Sequence, residues 1–211
     1  MKFRLVLFCF LLSTCITARS IPTQKVIAVT DSILISKVGE HLRPYFEVSN
    51  EGSHYNYLSS NKKINSELIF DKKRIKKNFT EVWILYKFNY TKINGVKAGI
   101  WVKLDQNLQL IEEPNLNGVP NFLIEELPSN FIGKQKAKMF AEKHFVITRY
   151  EISDAKLEYS KKLDKYLYSI ANKILKTNNG NKVVELEIVE LDAYTGKLLN
   201  RYESYNGLIE K

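Results

Sequence analysis

The stretch Glu190 to Leu199, which reads E-L-D-A-Y-T-G-K-L-L, constrains the fold of this chain more than any other stretch. The run before it, residues 183–191, alternates and is rich in β-branched side chains, which predicts a strand. Asp192 is expected to open a tight turn by accepting a hydrogen bond from an amide two residues on. Gly196 can adopt the positive φ that closes such a turn, and Lys197 begins the return strand. This pattern indicates a fold element and points away from an enzyme.

Residues 135–203 resemble the PepSY domain, a family found in the propeptides of thermolysin-like metalloproteases and in many exported bacterial proteins. The resemblance is carried by a helix rich in Lys and Ala at residues 134–145, then a meander, then a terminal hairpin. The signature positions of that hairpin are Asp192, Thr195, Gly196 and Lys197. Gly133 departs from the family pattern, because a Ser or Thr helix cap is commoner there. The resemblance implies an antiparallel meander backed by a helix, and a non-catalytic role in binding or inhibition.

The sequence also predicts two copies of one structural pattern. Residues 100–110 have the same form as residues 187–198: a strand, a Leu-Asp pair, a tight turn and a return strand. Asn107 is expected to supply the left-handed residue of the first turn. We therefore predict an α+β fold of two PepSY-like units, each a helix packed on an antiparallel β-sheet meander. This layout is similar to tandem-unit β-lactamase-inhibitor-type proteins of the bacterial envelope.

The predicted division of the chain follows from these copies. Residues 1–20 are a signal peptide, and residues 21–113 form an N-terminal PepSY-like unit with a basic insertion. A linker rich in Pro, Gly and Asn covers residues 114–130, and residues 131–211 form the C-terminal PepSY domain. Within the first unit we expect a helix over 31–42, after a flexible lead-in over 19–25. A hairpin is expected between strands 45–48 and 54–58.

The first twenty residues have the pattern of an export signal. Lys2 and Arg4 precede a short apolar run, which is too short to span a bilayer. We therefore predict an extracytoplasmic bacterial protein, either periplasmic, secreted or an outer-membrane lipoprotein. Leu12 to Cys15 resembles a lipobox, with Cys15 as the lipid-bearing residue; alternatively, Cys15 is part of a discarded signal. Cys9 and Cys15 are the two cysteines of the chain, so no disulfide is expected after the signal.

The chain has a formal net charge of +9, and the excess is concentrated between Lys62 and Lys77. Such a run can attract an anionic lipid or polysaccharide. The alternative is a solvated turn between strands. Nucleic acid is not an expected partner of an exported chain, and membrane contact is expected only through a lipid anchor or at the periphery. The candidate anion-binding side chains are Lys72, Lys73, Arg74, Lys76 and Lys77.

Few residues suggest chemistry. His41, His54 and His144 lack the spacing of a helical metal pair, and are interpreted as surface or packed side chains. No nucleophile elbow, P-loop or dinucleotide-binding glycine pattern occurs. The sequence thus predicts no enzyme activity, no cofactor and no metal site.

The aromatic content is high, with 12 Tyr, 11 Phe and 2 Trp. Many of the tyrosines lie on or beside predicted strands, where they can form a binding face. The alternative is cross-strand packing. The predicted function is recognition of a peptide, a protease or an envelope protein through a sheet face or a sheet edge. The runner-up is binding of anionic lipid or polysaccharide through Lys62 to Lys77. The tyrosines concerned are Tyr45, Tyr55, Tyr57, Tyr86, Tyr90, Tyr166, Tyr168, Tyr194, Tyr202 and Tyr205.

Overall fold

Antiparallel strands dominate the structure, a computed structural model that describes residues 20–70, 72–76, 78–147, 151–178 and 181–206. Within residues 174–183 and 205–206 it describes the backbone alone. The predictions for residues 1–19, including Cys15, and for Lys77 lie outside the described residues. In chain order the elements are β1 (Ile21–Pro22), α1 (Thr23–Val38), a 3₁₀ helix (Glu40–Tyr45), β2 (Phe46–Val48), β3 (His54–Leu58), β4 (Ile64–Leu68), β5 (Arg74–Ile75), β6 (Phe79–Asn89), β7 (Lys97–Asp105), α2 (Asn121–Ile124), α3 (Lys134–Glu142), β8 (Glu151–Ile152), β9 (Lys156–Ser160), β10 (Lys165–Asn178), β11 (Asn181–Asp192) and β12 (Leu198–Asn206).

The predicted fold class, α+β with two PepSY-like units each built as a helix on a meander, is wrong. Strands make up 41% of the structure and helices 21%, and the strands form three antiparallel sheets beside four short helices. Two features produce the difference. The segment around Arg74 forms β5, which pairs with β1 as a third, two-stranded sheet. The helices after α1 are short, since α2 has 4 residues and α3 has 9.

The hydrophobic core is one cluster that includes residues of both predicted units and of the predicted linker. Tyr86, Val119, Phe122, Tyr166 and Val189 all belong to it. The two predicted units approach each other so closely that a Cβ atom at Gly95, in the first, would overlap the carbonyl of Leu157, in the second. The domain boundaries near residues 113 and 130 stay a prediction.

The N-terminal sheet is formed by β2, β3, β4, β6 and β7. Because β7 pairs with β6 over residues 81–89, β2 and β3 lie end to end along the opposite edge of β6. The predicted hairpin between 45–48 and 54–58 is therefore wrong. The loop between these strands is fastened to β6 instead: the Ser49 N–H donates to the Leu85 carbonyl at 2.7 Å, and Ser53 Oγ accepts from the Leu85 N–H at 3.0 Å.

The C-terminal sheet has a related arrangement. β8 and β9 both pair with β10, which also pairs with β11, and β12 lies at the edge beyond β11. The strands expected at 155–159, 166–171 and 183–191 are present as β9, β10 and β11. Their runs of β-branched, aromatic and aliphatic residues were sufficient to locate them.

Helix α1 starts eight residues earlier than expected, so the predicted flexible lead-in is wrong. Asp31 does not cap it. Its carboxylate instead accepts a hydrogen bond from Tyr86 Oη at 2.6 Å and pairs with Arg43 at 2.8 Å. Burial and then this hydrogen bond raise the pKa of Tyr86. The helix ends at Gly39, whose φ is +87° and whose N–H donates to the Ile35 carbonyl at 2.8 Å.

The two Leu-Asp turns share their chemistry. Asp192 Oδ1 accepts from the N–H groups of Tyr194 and Thr195 at 3.0 and 2.9 Å, and Gly196 has a φ of +73°. The Lys197 N–H donates to Thr195 Oγ1 at 3.3 Å. In the first copy, Asp105 Oδ1 accepts from the N–H groups of Asn107 and Gln109, both at 2.8 Å. Its left-handed residue is Leu108, with a φ of +61°, so the prediction for Asn107 is wrong.

Candidate binding surface

The outer face of the N-terminal sheet carries both tryptophans of the chain. Along β6 and β7 every second side chain is buried, which points the intervening residues away from the core. Trp83 and Trp101 are among these outward residues and are partly exposed. We call this surface the tryptophan face. Its members are Leu58, Ile64, Leu68, His54, Trp83, Leu85, Trp101 and Lys103.

Three aromatic rings form the centre of the tryptophan face. The strand register places His54 beside Trp83, and Trp101 sits diagonally across the ladder. The ring centroids lie 5.4 Å apart for His54 and Trp83, and 6.0 Å apart for the two tryptophans, which meet edge to face at 72°. Such contacts favour a fixed arrangement of the rings. The centre of the face is thus preorganised and amphipathic.

Charged residues at the border of the tryptophan face contact Trp83. The Trp83 indole N–H donates to the Glu81 carboxylate at 2.8 Å. The Lys103 ammonium lies 4.3 Å from the centroid of the Trp83 ring and 2.5 Å from the Glu112 carboxylate. A cation over an indole is a favourable contact. The apolar centre therefore has a polar border, the usual layout of a protein interface.

The tryptophan face continues as an aliphatic surface over β3 and β4. Leu58 pairs with Ile64, and His54 pairs with Leu68, so these side chains share the outer face. Ile64 is 68% exposed, and Leu58 and Leu68 are each 42% exposed. Aliphatic side chains thus occur at both ends of this part of the face, with the polar pair Asn56 and Ser66 between them.

A cleft of about 440 Å³ opens beside Trp101, between β7 and the turn that precedes β10. Gly99, Trp101, Tyr159 and Asp164 are among its lining residues. The Tyr159 hydroxyl donates to the Asp164 carboxylate. Burial first, and then this hydrogen bond, raise the pKa of Tyr159 to about 12, so it is a neutral donor at physiological pH. The cleft can accept a side chain that reaches beyond Trp101.

The structure brings only two residues of the basic run together, around one carboxylate. Lys72 and Lys76 both pair with the Glu67 carboxylate, the first at 3.8 Å, and the hydroxyls of Tyr55 and Tyr57 donate to the same carboxylate at 2.6 and 3.1 Å. The hydrogen bond from Lys76, followed by that from Tyr55, lowers the pKa of Glu67 to about 2. Two of the five candidate cations are therefore engaged with an internal acid.

The remaining members of the run lie elsewhere. Arg74 bonds to the hydroxyl and carbonyl of Ser20, and the Lys73 carbonyl accepts the Thr23 N–H at 3.1 Å. The predicted alternative, a solvated turn between strands, does not describe Arg74, which lies in β5 and pairs with Pro22 of β1. Lys77 lies outside the described residues.

The predicted tyrosine-bearing face is wrong for four of its members, which belong to the core. Tyr55, Tyr86, Tyr166 and Tyr168 are at most 3% exposed. The sequence did contain a signal for the tryptophans instead. Charged residues lie two or four positions from each tryptophan in the same strand, and so on the same side of the sheet. These residues, Glu81, Lys87 and Lys103, mark that side as the one that faces solvent.

Among the described residues, no group of three or more His, Cys, Asp or Glu side chains is placed to hold a metal ion. The helices of the same part of the chain include none that is both long and apolar enough to cross a membrane. No family model, curated protein or solved structure matches this chain. The PepSY resemblance stays a prediction.

Proposed function

We propose that this chain is a non-catalytic binding module that recognises a protein or peptide through the tryptophan face. The observation that carries the proposal is the packing of both tryptophans with His54 on a partly exposed outer sheet face. Tryptophan is among the residues most enriched in interface hot spots. Nothing in the folding of the inner core requires two indoles on the opposite side of the sheet.

The shape of the tryptophan face supports a macromolecular partner. It covers four strand positions, from β4 through β3 and β6 to β7, which is a width of about 15 Å at the usual strand spacing. Most of its members lie on a sheet surface, and only Trp101 and Lys103 reach into the adjoining cleft. A broad apolar centre with a charged rim suits a protein segment better than a small ligand, which binds in a concave site. An inhibitory role belongs to the same proposal where the partner is a protease.

Binding of anionic lipid or polysaccharide through Lys62 to Lys77 has less support. Lys72 and Lys76 pair with Glu67, and Arg74 bonds to Ser20, so these three cations are engaged with groups of the chain itself. The dependence of binding affinity on salt concentration distinguishes the two functions. Binding through exposed charge weakens steeply as ionic strength rises, whereas binding through apolar rings persists.

The proposed location is extracytoplasmic, and it rests on the charge and apolar pattern of residues 1–20. The lipid anchor at Cys15 belongs to the same proposal. Mass spectrometry of the mature N-terminus tests both: a lipidated terminal cysteine supports the anchor, cleavage near residue 20 supports a soluble exported form, and an uncleaved terminus contradicts export by this signal.

Site-specific photo-crosslinking tests the binding face. A photoreactive phenylalanine analogue is placed at position 101 or, as the matched control, at Tyr202, an exposed aromatic on the C-terminal sheet. In cells that naturally produce the protein, we expect discrete crosslinked species from position 101 that disappear in a Trp83→Ala background. Equal labelling from both positions, or none from position 101, would overturn the proposal.

A further inference from the structure

We propose that the partner is an extended segment with alternating apolar and acidic side chains, and that it adds to β4 as an extra strand. This inference rests on the proposed function and deepens it by naming the docking edge and the chemistry of the partner. β4 lies at the end of the N-terminal sheet, and within the described residues it pairs with β3 alone. Its second edge is therefore open to a new strand.

The register shows which groups an added strand would meet. The Ile69 N–H donates to the Ser53 carbonyl at 3.0 Å, and the Ser59 N–H donates to the Lys63 carbonyl at 2.9 Å. These two bonds place the hydrogen-bonded pairs of the β3–β4 ladder at the odd-numbered residues, and such pairs alternate along an antiparallel ladder. The backbone N–H and C=O groups of Ile64, Ser66 and Leu68 consequently point away from β3.

β4 lacks two of the features that commonly protect an edge strand. Its sequence, I-N-S-E-L, contains neither Pro nor Lys, and both residue types oppose strand addition. Its single charged residue, Glu67, is bonded to Tyr55, Tyr57 and Lys76 on the inner side of the sheet. The edge itself presents only backbone groups and the side chains of Ile64, Ser66 and Leu68.

Two other sheet edges are protected. The free edge of β7 is bridged at Leu104 by Leu110, and the Ile111 N–H donates to the Lys103 carbonyl at 3.0 Å. The edge strand β12 carries the exposed charges Arg201 and Glu203. The contrast indicates that β4 is left open while its counterparts are closed or charged.

The two sides of β4 determine the partner's chemistry. Side chains of an added strand alternate between faces. On the outer face they would meet Ile64 and Leu68 at the border of the tryptophan face, which favours apolar residues. On the inner face they would meet Lys72 and Lys76, whose side chains are 46% and 43% exposed and share one carboxylate, Glu67. The excess of positive charge there favours acidic residues.

A labelled nine-residue peptide of alternating Val and Glu is the probe, and fluorescence anisotropy of the full chain with this peptide is the measurement. We expect saturable binding that weakens at least tenfold in Ser66→Pro, because proline removes an outward N–H and its ring blocks the edge. Ser66→Val is the matched control and should bind normally, since it keeps that N–H. Circular dichroism establishes that both variants are folded.

Two changes to the peptide leave the protein untouched. N-methylation of the amides that would face β4 should abolish binding, and replacement of Glu by Lys should weaken it at least tenfold. Unchanged affinity for the N-methylated peptide, or no binding of the Val/Glu peptide at all, would overturn the inference. The crosslink from position 101 can still appear in that case, which leaves the proposed function standing. Peptide binding without a crosslink from position 101 would support strand addition at β4 and would overturn the proposed function of the tryptophan face.

Discussion

The outer faces of the two five-stranded sheets differ sharply, although both sheets are built from a long antiparallel hairpin with two short strands along one side. The C-terminal sheet presents charges that pair with one another, namely Lys156 with Glu158, Lys165 with Asp192 and Lys173 with Glu151, while the Tyr202 hydroxyl bonds to Glu190. The N-terminal sheet presents indole, imidazole and aliphatic side chains. The inner face of each sheet supplies the core residues. Residues on the outer face are therefore not needed for core packing, and they indicate whether that surface binds a partner.

This difference has a consequence for stability and binding. Self-paired polar residues keep a sheet face soluble and unreactive toward other chains. Exposed rings and aliphatic groups leave apolar area in contact with water, at a cost of about 25 cal/mol for each Å² that a partner could cover. Variants in the C-terminal sheet should therefore change folding alone, whereas variants on the tryptophan face should change binding more than folding.

The largest expected effect lies in the C-terminal half. Gly196→Ala should lower the free energy of unfolding by about 3 kcal/mol, because it combines a left-handed backbone with overpacking. A Cβ atom there would overlap the Phe140 ring, and φ is +73°. Urea denaturation is the measurement, and affinity for the Val/Glu peptide should stay unchanged while the protein is folded.

Gly133→Ala is the matched control for that substitution. Gly133 has a similar φ of +77°, but a Cβ atom there would meet nothing within 4 Å. Its cost should be only the backbone contribution of about 1 kcal/mol. Equal losses in the two variants would show that the contact with α3 is not important for the terminal hairpin.

The next effect concerns binding. Trp101→Ala should weaken the partner or the Val/Glu peptide by about 30-fold, the equivalent of about 2 kcal/mol for a hot-spot residue. Tyr202→Ala, on the C-terminal sheet, should have no effect on affinity. Titration by fluorescence anisotropy compares the two variants directly. A loss of affinity in Tyr202→Ala as large as in Trp101→Ala would remove the proposed distinction between the faces.

The two Leu-Asp turns provide a smaller comparison. Asp192 accepts bonds from two backbone amides and the Thr195 hydroxyl and pairs with Lys165. Asp105 also accepts bonds from two backbone amides, but its side-chain donor is Asn107 at the long distance of 3.5 Å. Burial acts to raise the pKa of Asp192, but the bonds from Thr195 and its neighbours hold it below the usual value. Asp192→Ala should cost about 2 kcal/mol and Asp105→Ala about 1 kcal/mol. Thermal denaturation of both variants checks the order.

The smallest effect is a pH dependence at the base of β4. The pKa of Glu67 is lowered from 4.5 to about 2, so its ionised form stabilises the native state fully above pH 4.5 and this contribution is lost as the pH falls toward 2. Glu67→Gln should therefore be less stable than the natural chain by about 1 kcal/mol at pH 6, the upper end for an exposed ion pair. Urea denaturation at pH 6 and pH 2.5 should show that difference shrinking; a constant difference would contradict the role of the Glu67 charge.

The sequence was sufficient to locate the long strands but not to orient or pair all of them. Val82 to Phe88 is mostly apolar on both faces, so within this strand only the charged residues Glu81 and Lys87 indicate that Trp83, and not Tyr86, faces solvent. The pairing of β2 and β3 with β6 joins residues that are 22 or more positions apart in the chain, which local turn chemistry does not encode. The start of α1 was missed because Pro22 takes the cap position without a side-chain hydrogen bond.

The candidate site was harder to predict than the fold. Tyrosine content suggested a binding face, but tyrosines such as Tyr55 and Tyr86 use their rings in the core and their hydroxyls to satisfy Glu67 and Asp31. Among the described residues β4 pairs with β3 alone, which leaves its second edge open to an added strand. The sequence of β4 does not predict which strands pair with it. The basic run looked like one surface because its residues are adjacent in the chain, yet folding directs Arg74 and Lys76 to different partners.

Oxidative footprinting in cells that naturally produce the protein compares the two faces most directly. The rate of hydroxyl-radical modification is measured for Trp83, Trp101 and Tyr202, in cells and for the purified chain. We predict that both tryptophans are protected several-fold in cells, while Tyr202 reacts at the same rate in both settings. Equal rates for the tryptophans in the two settings would contradict the claim that the outer face of the N-terminal sheet binds a partner.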